Sequence, residues 1–351
     1  MGKMYFDNAC VSYPKAGGIS DMLREYADLF DSELEAEDRM FINNRRALSA
    51  EAKNGVKKLL NCNSSTEVFL ASGTVACIQA ICKVLYRPKM HCICAYDDCN
   101  PIISTLKSLK CFDVDFTNIE YNKNGLLDLN RLENSIDCNT AFVLIPYASH
   151  AIGTLQEIDK ISEICKKYGT PLIIDISLAV GQIPVRFDDV KADALLFTAD
   201  KTLLGLDGVS AIVVNKSIAD KLSADNAMLE SDVAALSLHA LNKSLMFIEN
   251  IGIEEMYEKT EQLVVCFLYG IKHMRGIELL GSWNSAGRIG VIAINFENKD
   301  NALCAERLYS EYGIVSYNDI SSGAVRFSVS YFNTLDEVND VLNAIQTVSD
   351  E

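Results

Sequence analysis

The sequence predicts an α/β protein with a mostly parallel central sheet flanked by helices, followed by a smaller C-terminal α+β domain. Three observations carry this. Apolar runs alternate with amphipathic stretches through roughly the first two thirds of the chain. Those runs lack polar alternation, so both faces of each strand are covered, as in parallel sheets sandwiched by helices. The rhythm then changes, and a long helical stretch leads into a strand, a helix, a second strand and a last helix.

The elements follow in order. Val68-Phe69-Leu70 is a short strand, and Thr74 to Leu85 has a helical pattern. His91 to Tyr96 reads as a strand and Pro101 to Leu109 as a helix. Ala141 to Pro146 is a buried strand. Ile158 to Tyr168 is a helix, because Ile158, Ile161, Ile164 and Cys165 fall on one face. Pro171 to Asp175, Ala194 to Thr198 and Val209 to Val214 are further strands, the last after a glycine turn. A helical stretch runs from Leu241 to Met274, followed by the strand Gly290 to Phe296 and the helix Asn301 to Tyr312. Ala324 to Val329 is a strand and Thr334 to Val348 the final helix. This divides the chain into an N-terminal arm (1–20), a large domain (21–240) and a small domain (241–351). No internal repeat or low-complexity linker separates them.

Composition excludes several classes. With 351 residues, 49% of them hydrophobic and only six prolines, the chain can bury a large core, so it is not disordered. A net charge of −16 repels phosphate backbones and anionic headgroups, which argues against nucleic acid and against a membrane surface as partners. No apolar run is long enough to span a bilayer, and the start lacks a signal-peptide profile. A cytoplasmic protein acting on a small molecule is expected. The twelve cysteines include no C-x-x-C pair and mostly sit in apolar runs, as buried reduced thiols do. Four scattered histidines offer no zinc spacing, so no metal site is expected.

In open α/β sheets ligands bind beyond the carboxyl ends of the strands. Three features there suggest chemistry. Ser72-Gly73-Thr74 joins a strand to a helix, and its N–H groups and hydroxyls form either a phosphate cradle or an ordinary helix cap. Asp175 ends an apolar run and needs a cation or a donor, again unless it only caps a helix. Lys201 follows a buried strand, where an amine can act as a nucleophile toward carbonyls, although a single lysine is as readily a solvated surface residue. Together the three match the needs of pyridoxal phosphate: a Schiff-base amine, a carboxylate for the ring nitrogen and an anion cradle.

Four segments then carry a family resemblance. Tyr5-Phe6-Asp7-Asn8-Ala9-Cys10-Val11-Ser12-Tyr13-Pro14-Lys15 resembles the N-terminal signature of class V aminotransferases and cysteine desulfurases. Ile174 to Gly181 looks like their pyridine-nitrogen aspartate segment, and Phe197 to Gly208 looks like their cofactor-lysine segment. Val325 to Thr334 resembles the segment whose arginine holds the substrate carboxylate. The similarity runs in register from residue 5 to about residue 345. It implies a fold-type I pyridoxal-phosphate-dependent transferase, a homodimer, and the cofactor held covalently on Lys201. Ser72, Gly73, Thr74, Asp175 and Thr198 would be cofactor residues, and Asn8 and Arg326 substrate residues.

Several positions depart from the pattern the resemblance implies. Cys99 stands where an imidazole usually stacks on the ring, His150 where an asparagine usually sits, and Leu178 where a glutamine does. Asp200 precedes the lysine in place of a histidine and brings a carboxylate toward a predicted phosphate. Leu229 to Val233 departs from the segment that supplies a phosphate contact from the neighbouring subunit. The stretch Ser316 to Gly323 contains no cysteine where cysteine desulfurases carry the thiol that takes up sulfur. The expectation is therefore an aminotransferase or a lyase, with the aminotransferase preferred, acting on the α-amino group of a small amino acid and not a persulfide-forming cysteine desulfurase. Lys201 would be its general base. The alternative, resting on Asp200, Leu178 and Cys99, is a cofactor-poor homologue that acts as a binding or partner protein.

Overall fold

The computed structural model describes residues 3–31, 44–85, 87, 89–96, 101–108, 114–222, 232–319 and 322–351. Its strands are β1 (Met4–Tyr5), β2 (Glu67–Ala71), β3 (Met90–Cys94), β4 (Val114–Asn118), β5 (Thr140–Pro146), β6 (Leu172–Asp175) and β7 (Ala194–Thr198). They continue with β8 (Ser210–Val214), β9 (Ile277–Leu280), β10 (Val291–Phe296), β11 (Ile314–Val315), β12 (Tyr317–Asn318) and β13 (Val325–Ser328). The large sheet has the order β2-β8-β7-β6-β5-β3-β4. Strands β3 to β7 pair in parallel, and β8 alone runs opposite to both its neighbours, β2 and β7. The carboxyl ends of six strands therefore share one edge of the sheet.

The alternation of side chains shows why these runs are uniformly apolar. Leu70, Val143, Ile174, Leu195 and Val213 enter the core on one face. Phe69, Phe142, Ile173, Leu196 and Ile212 enter a separate core on the other. Both faces are buried, as the lack of polar alternation predicts. A third core lies between the antiparallel sheet β12-β13-β10-β9 and helices that include Phe267, Val341 and Ile345. The helices carry sequence-legible ends. The Asp300 side chain accepts from the Ala302 and Leu303 amides, and Thr334 and Glu337 form a reciprocal capping box. Among the described residues, no helix is long and apolar enough to cross a membrane.

Two differences from the expected elements have simple causes. The helical stretch Leu241 to Met274 is two helices, Ala235–Ile251 and Ile253–Ile271, separated by Gly252 at φ +94°. Apolar periodicity continues across that glycine, so the pattern hides the break. The division expected between residues 240 and 241 falls inside the first of these helices. That helix packs on the helix Arg45–Leu59, with the Asn242 amide donating to the Leu48 carbonyl.

The N-terminal arm ties the two sheets to each other. Strand β1 pairs in parallel with β11, and Asp7 bridges to Ser328 of β13. Farther along, the Ser12 and Ala16 amides donate to the carbonyls of Asp200 and Leu204. One continuous segment, turning at residues 8–10, thus reaches from the small sheet to the loop that carries Lys201.

That loop is also pressed from below by a glycine turn. Gly181 has φ +86°, and a Cβ there would lie 2.4 Å from the Thr202 carbonyl oxygen. Both the dihedral and the close approach exclude a side chain. Gly181→Ala should cost about 1–3 kcal/mol, read as a lower midpoint of denaturant unfolding. An unchanged midpoint would show that the loop moves freely.

Candidate active site

The shared sheet edge gathers most of the candidate residues. Asp175 ends β6 in register with Leu196 of β7, and Lys201 follows three residues after β7 ends. His150 lies beyond the end of β5. Ser72-Gly73-Thr74 follows β2 and opens the helix Thr74–Leu85. Gly73 has φ +134°, and a Cβ there would meet nothing within 4 Å, so the space before this helix end is open. Open space in front of the positive end of a helix is the geometry that an anion cradle requires.

Asp175 is held by two donors. The Ser177 amide donates to Oδ1 at 2.9 Å and the Tyr96 hydroxyl to Oδ2 at 3.2 Å. Burial, with Asp175 beside it, pushes the Tyr96 hydroxyl well above its ordinary value, so it remains a donor at neutral pH. Leu178, buried in the core, offers an apolar wall and no hydrogen bond at its position. Thr198 donates its amide to Ser177 Oγ at 3.2 Å and its hydroxyl to the Asp200 carboxylate. The Asp200 carbonyl accepts from Ser12 Oγ at 2.9 Å and from Lys15 Nζ at 3.0 Å. The carboxylate that departs from the family pattern is therefore tied to Thr198, with a cation nearby. Burial lowers the Lys15 amine below its ordinary value, while Asp200 and Asp207 oppose that shift.

Arg326 is fully buried. Its Nη2 donates to Asp7 Oδ1 at 3.1 Å and to Cys10 Sγ at 2.9 Å, and its Nη1 to the His150 carbonyl at 3.2 Å. Nη1 also lies 3.1 Å from His150 Nδ1, and the guanidinium carbon lies 4.4 Å from the centre of the Tyr317 ring. Burial drives His150 well below its ordinary value, and the cations of Lys201 and Arg326 push the same way. A neutral ring that accepts at Nδ1 carries its proton on Nε2. Burial pushes the Cys10 thiol up to about 11, with Arg326 opposing, and also raises the Asp7 carboxyl.

Asn8 lies in the same arm, with both ends of its amide used locally. Its Nδ2 donates to the Ser328 carbonyl at 2.9 Å, and its Oδ1 accepts from the Tyr13 amide at 3.0 Å. Cys99 and Leu229 to Ser231 lie outside the described residues. Among the described residues no cluster of His, Cys, Asp and Glu could hold a metal ion. The sequence reading missed Asp7, Cys10, Lys15, Tyr96 and Tyr317. The first three stand inside the N-terminal segment it quoted, but it is the pairing of β1 with β11 and the Asp7–Ser328 bridge that bring Asp7 and Cys10 to Arg326, and Lys15 meets Asp200 instead.

His150 gives the site a pH signature. Its folded form favours the neutral ring, so below its ordinary value of 6.5 the unfolded chain takes up a proton that the folded chain does not. Stability should then fall as pH drops through that value, by at most about 1.4 kcal/mol per pH unit from this group. His150→Gln should flatten the slope in urea unfolding between about pH 5.5 and 7. Equal slopes in the two proteins would place the titration elsewhere.

Comparison with known proteins bears on this geometry. Residues 4–341 match the family model described as Aminotransferase class-V. The cysteine desulfurase IscS of Proteus mirabilis is 22% identical over 327 residues, covering 84% of this chain and 80% of that protein. A probable mitochondrial cysteine desulfurase of Dictyostelium discoideum is 29% identical over 173 residues, covering 48% of this chain and 38% of that one. In structure, the apo cysteine desulfurase of Thermococcus onnurineus matches with a TM-score of 0.80 at 18% identity, over 99% of this chain and 95% of that chain. A NifS-like protein of Rickettsia africae matches with a TM-score of 0.78 at 16% identity, over the whole of both chains. The expectation of an aminotransferase that forms no persulfide is corrected by these names, since the relatives are cysteine desulfurases. That expectation rested on the absence of a cysteine between Ser316 and Gly323 and on reading Cys304 as core and Cys99 as too close to the cofactor. The fold is the fold-type I pyridoxal-phosphate-dependent transferase fold, and the chain belongs to the class V aminotransferase family.

Proposed function

We propose that this protein is a pyridoxal-phosphate-dependent cysteine desulfurase, which takes the sulfur from L-cysteine and leaves alanine. The observation that carries this reading is its likeness, over most of its length, to proteins named cysteine desulfurase. Members of the family use pyridoxal phosphate, and the residues at the sheet edge fit that group. The open cradle at Ser72-Gly73-Thr74 would receive the phosphate, and Lys201 would hold the cofactor covalently. The carboxylate of Asp175, already oriented by Ser177 and Tyr96, would face the ring nitrogen. When bound, the cofactor supplies an electron sink next to the substrate's amino-bearing carbon.

The chain's own groups do the rest. The Lys201 amine, released from the cofactor, would be the base for the α-proton. Thr198 holds the Asp200 carboxylate, and Lys15 sets a cation close to it, so the negative charge near the phosphate is partly offset. The neutral His150, with its proton on Nε2, offers a donor between Lys201 and Arg326. Arg326 would bind the substrate carboxylate. Four of its N–H contacts are already engaged while Nε has no partner, so a two-bond grip through Nε and Nη2 requires Asp7 to give way. Leu178 leaves an apolar wall where the family pattern has an amide.

Two measurements check this. Purified protein given pyridoxal phosphate and then borohydride should carry the reduced cofactor on the Lys201 peptide, and Lys201→Ala should not. Supplied with L-cysteine and a reducing thiol, the loaded protein should release alanine and sulfide in equal amounts. Absence of alanine from a fully loaded protein would overturn the reading.

A further inference from the structure

Turning cysteine into alanine requires a second thiol. The carbon that loses sulfur is reduced, and the sulfur leaves at the oxidation level of the element, so a nucleophile must take it. Among the described residues, most cysteines are placed where they cannot. Cys77, Cys82, Cys92, Cys94, Cys165 and Cys304 are buried. Cys138 is exposed but lies just before β5 begins, at the opposite end of the sheet from Lys201. Cys62 and Cys266 are partly buried, but Cys62 lies before β2 begins, at that same far end of the sheet, and Cys266 stands on the helix Ile253–Ile271 with its thiol donating to Asn339 of the last helix.

Cys10 combines three features. It is only partly buried. Its Sγ accepts a hydrogen bond from Arg326 Nη2 at 2.9 Å, and the Asp7 carboxylate reaches both the same nitrogen and the thiol. The third feature is independent of the thiol. The Nε of the fully buried Arg326 has no hydrogen-bond partner, which leaves one N–H for an acceptor that the described chain does not supply. On its other side the guanidinium touches His150, which in turn feels the Lys201 cation. A carboxylate ligand bound at Arg326 would therefore share its guanidinium with this thiol.

We propose that Cys10 is the residue that receives the substrate's sulfur, as a persulfide, in the reaction proposed above, on which this inference rests. The Cys10 thiol gives its proton to Asp7, and its sulfur attacks the sulfur of the substrate. An S–S bond forms and the substrate's C–S bond breaks. The electron pair of that bond stays with carbon, which takes up a proton and becomes the methyl group of alanine. Carbon is reduced and the sulfur pair oxidised, so one cysteine and one protein thiol give one alanine and one protein persulfide with no external oxidant. Arg326 favours the step by donating to the sulfur as negative charge develops on it. Two equivalents of an added thiol then release the outer sulfur as sulfide and restore the Cys10 thiol, and are themselves oxidised to a disulfide.

The test uses the loaded, full-length protein. Wild type is given L-cysteine without another thiol, alkylated, digested and mapped by mass. Alanine should form about once per site, and the Cys10 peptide should carry one additional sulfur atom. Cys10→Ser should keep the cofactor absorption band and lose alanine formation on the order of 100-fold. In a separate arm, Lys201→Ala protein without cofactor is treated with inorganic polysulfide, and the additional sulfur should again map to Cys10. The wild-type mapping stands even if a variant fails to fold. Alanine formation with the sulfur on Cys99 or another cysteine would overturn the role of Cys10 and leave the desulfurase reading intact. Failure of polysulfide to load Cys10 would overturn it as well. No alanine at all would remove the desulfurase reading and this inference together.

Discussion

The buried guanidinium of Arg326 is the constraint on which the rest of the site depends. A cation taken fully out of water loses several kcal/mol of hydration unless its donors find acceptors. Here the acceptors come from three places far apart in sequence. Asp7 and Cys10 belong to the N-terminal arm, His150 to the loop after β5, and Tyr317 to β12, beside the arginine's own strand. The arginine is comfortable only when the arm, the large sheet and the small sheet are all in place. The arm in turn is fixed by the β1–β11 pairing and by Ala9, whose amide donates to Ser328 Oγ at 2.8 Å. The contacts that hold the two sheets together are therefore also the contacts that hold the site.

Charge at the other end of the site is balanced by the same arm. Asp200 looks costly in the sequence because it sets a carboxylate near a phosphate cradle. The fold answers with the Thr198 hydroxyl on the carboxylate and Lys15 on the Asp200 backbone carbonyl. Burial disfavours the charged form of Lys15, and the carboxylates of Asp200 and Asp207 restore part of it. Asp175 is treated in a parallel way, since Tyr96 and Ser177 each give one hydrogen bond to one of its oxygens. Both acidic groups at the sheet edge are thus oriented by neutral donors before any ligand is considered.

These contacts mark the limit of what the sequence reveals. The strands of the large sheet are legible because both of their faces are buried, so Ala141 to Pro146 and Ala194 to Thr198 read as continuous apolar runs. The residues just beyond them, Asp175, His150 and Lys201, follow from the rule that ligands gather at strand ends. Strands of two residues, such as β1, β11 and β12, have no period to detect. The antiparallel direction of β8 is equally hidden, because its apolar run matches that of its parallel neighbours. The partnerships of Cys10 and Asp7 with Arg326 span 316 and 319 residues, and no local pattern encodes them. Asn8 illustrates the converse, since a motif position suggested a ligand contact while both ends of its amide bind the protein itself.

The proposed reaction class has the same physical root. A thiol absent from one stretch of chain can be supplied by another, because the fold decides which segments meet. Cys10 sits in an arm held by backbone pairing on one side and by Ser12 and Lys15 on the other. A thiol placed in this way cannot travel to a distant substrate, so on the proposed chemistry the substrate's sulfur must be brought to it. Arg326 is suited to do so, because the cation that would hold the carboxylate also holds Cys10 Sγ at 2.9 Å. Orientation of the substrate and position of the acceptor are then set by a single side chain. The same arrangement selects for short substrates, since only a sulfur a few bonds from the carboxylate could reach a thiol fixed at the far side of its clamp.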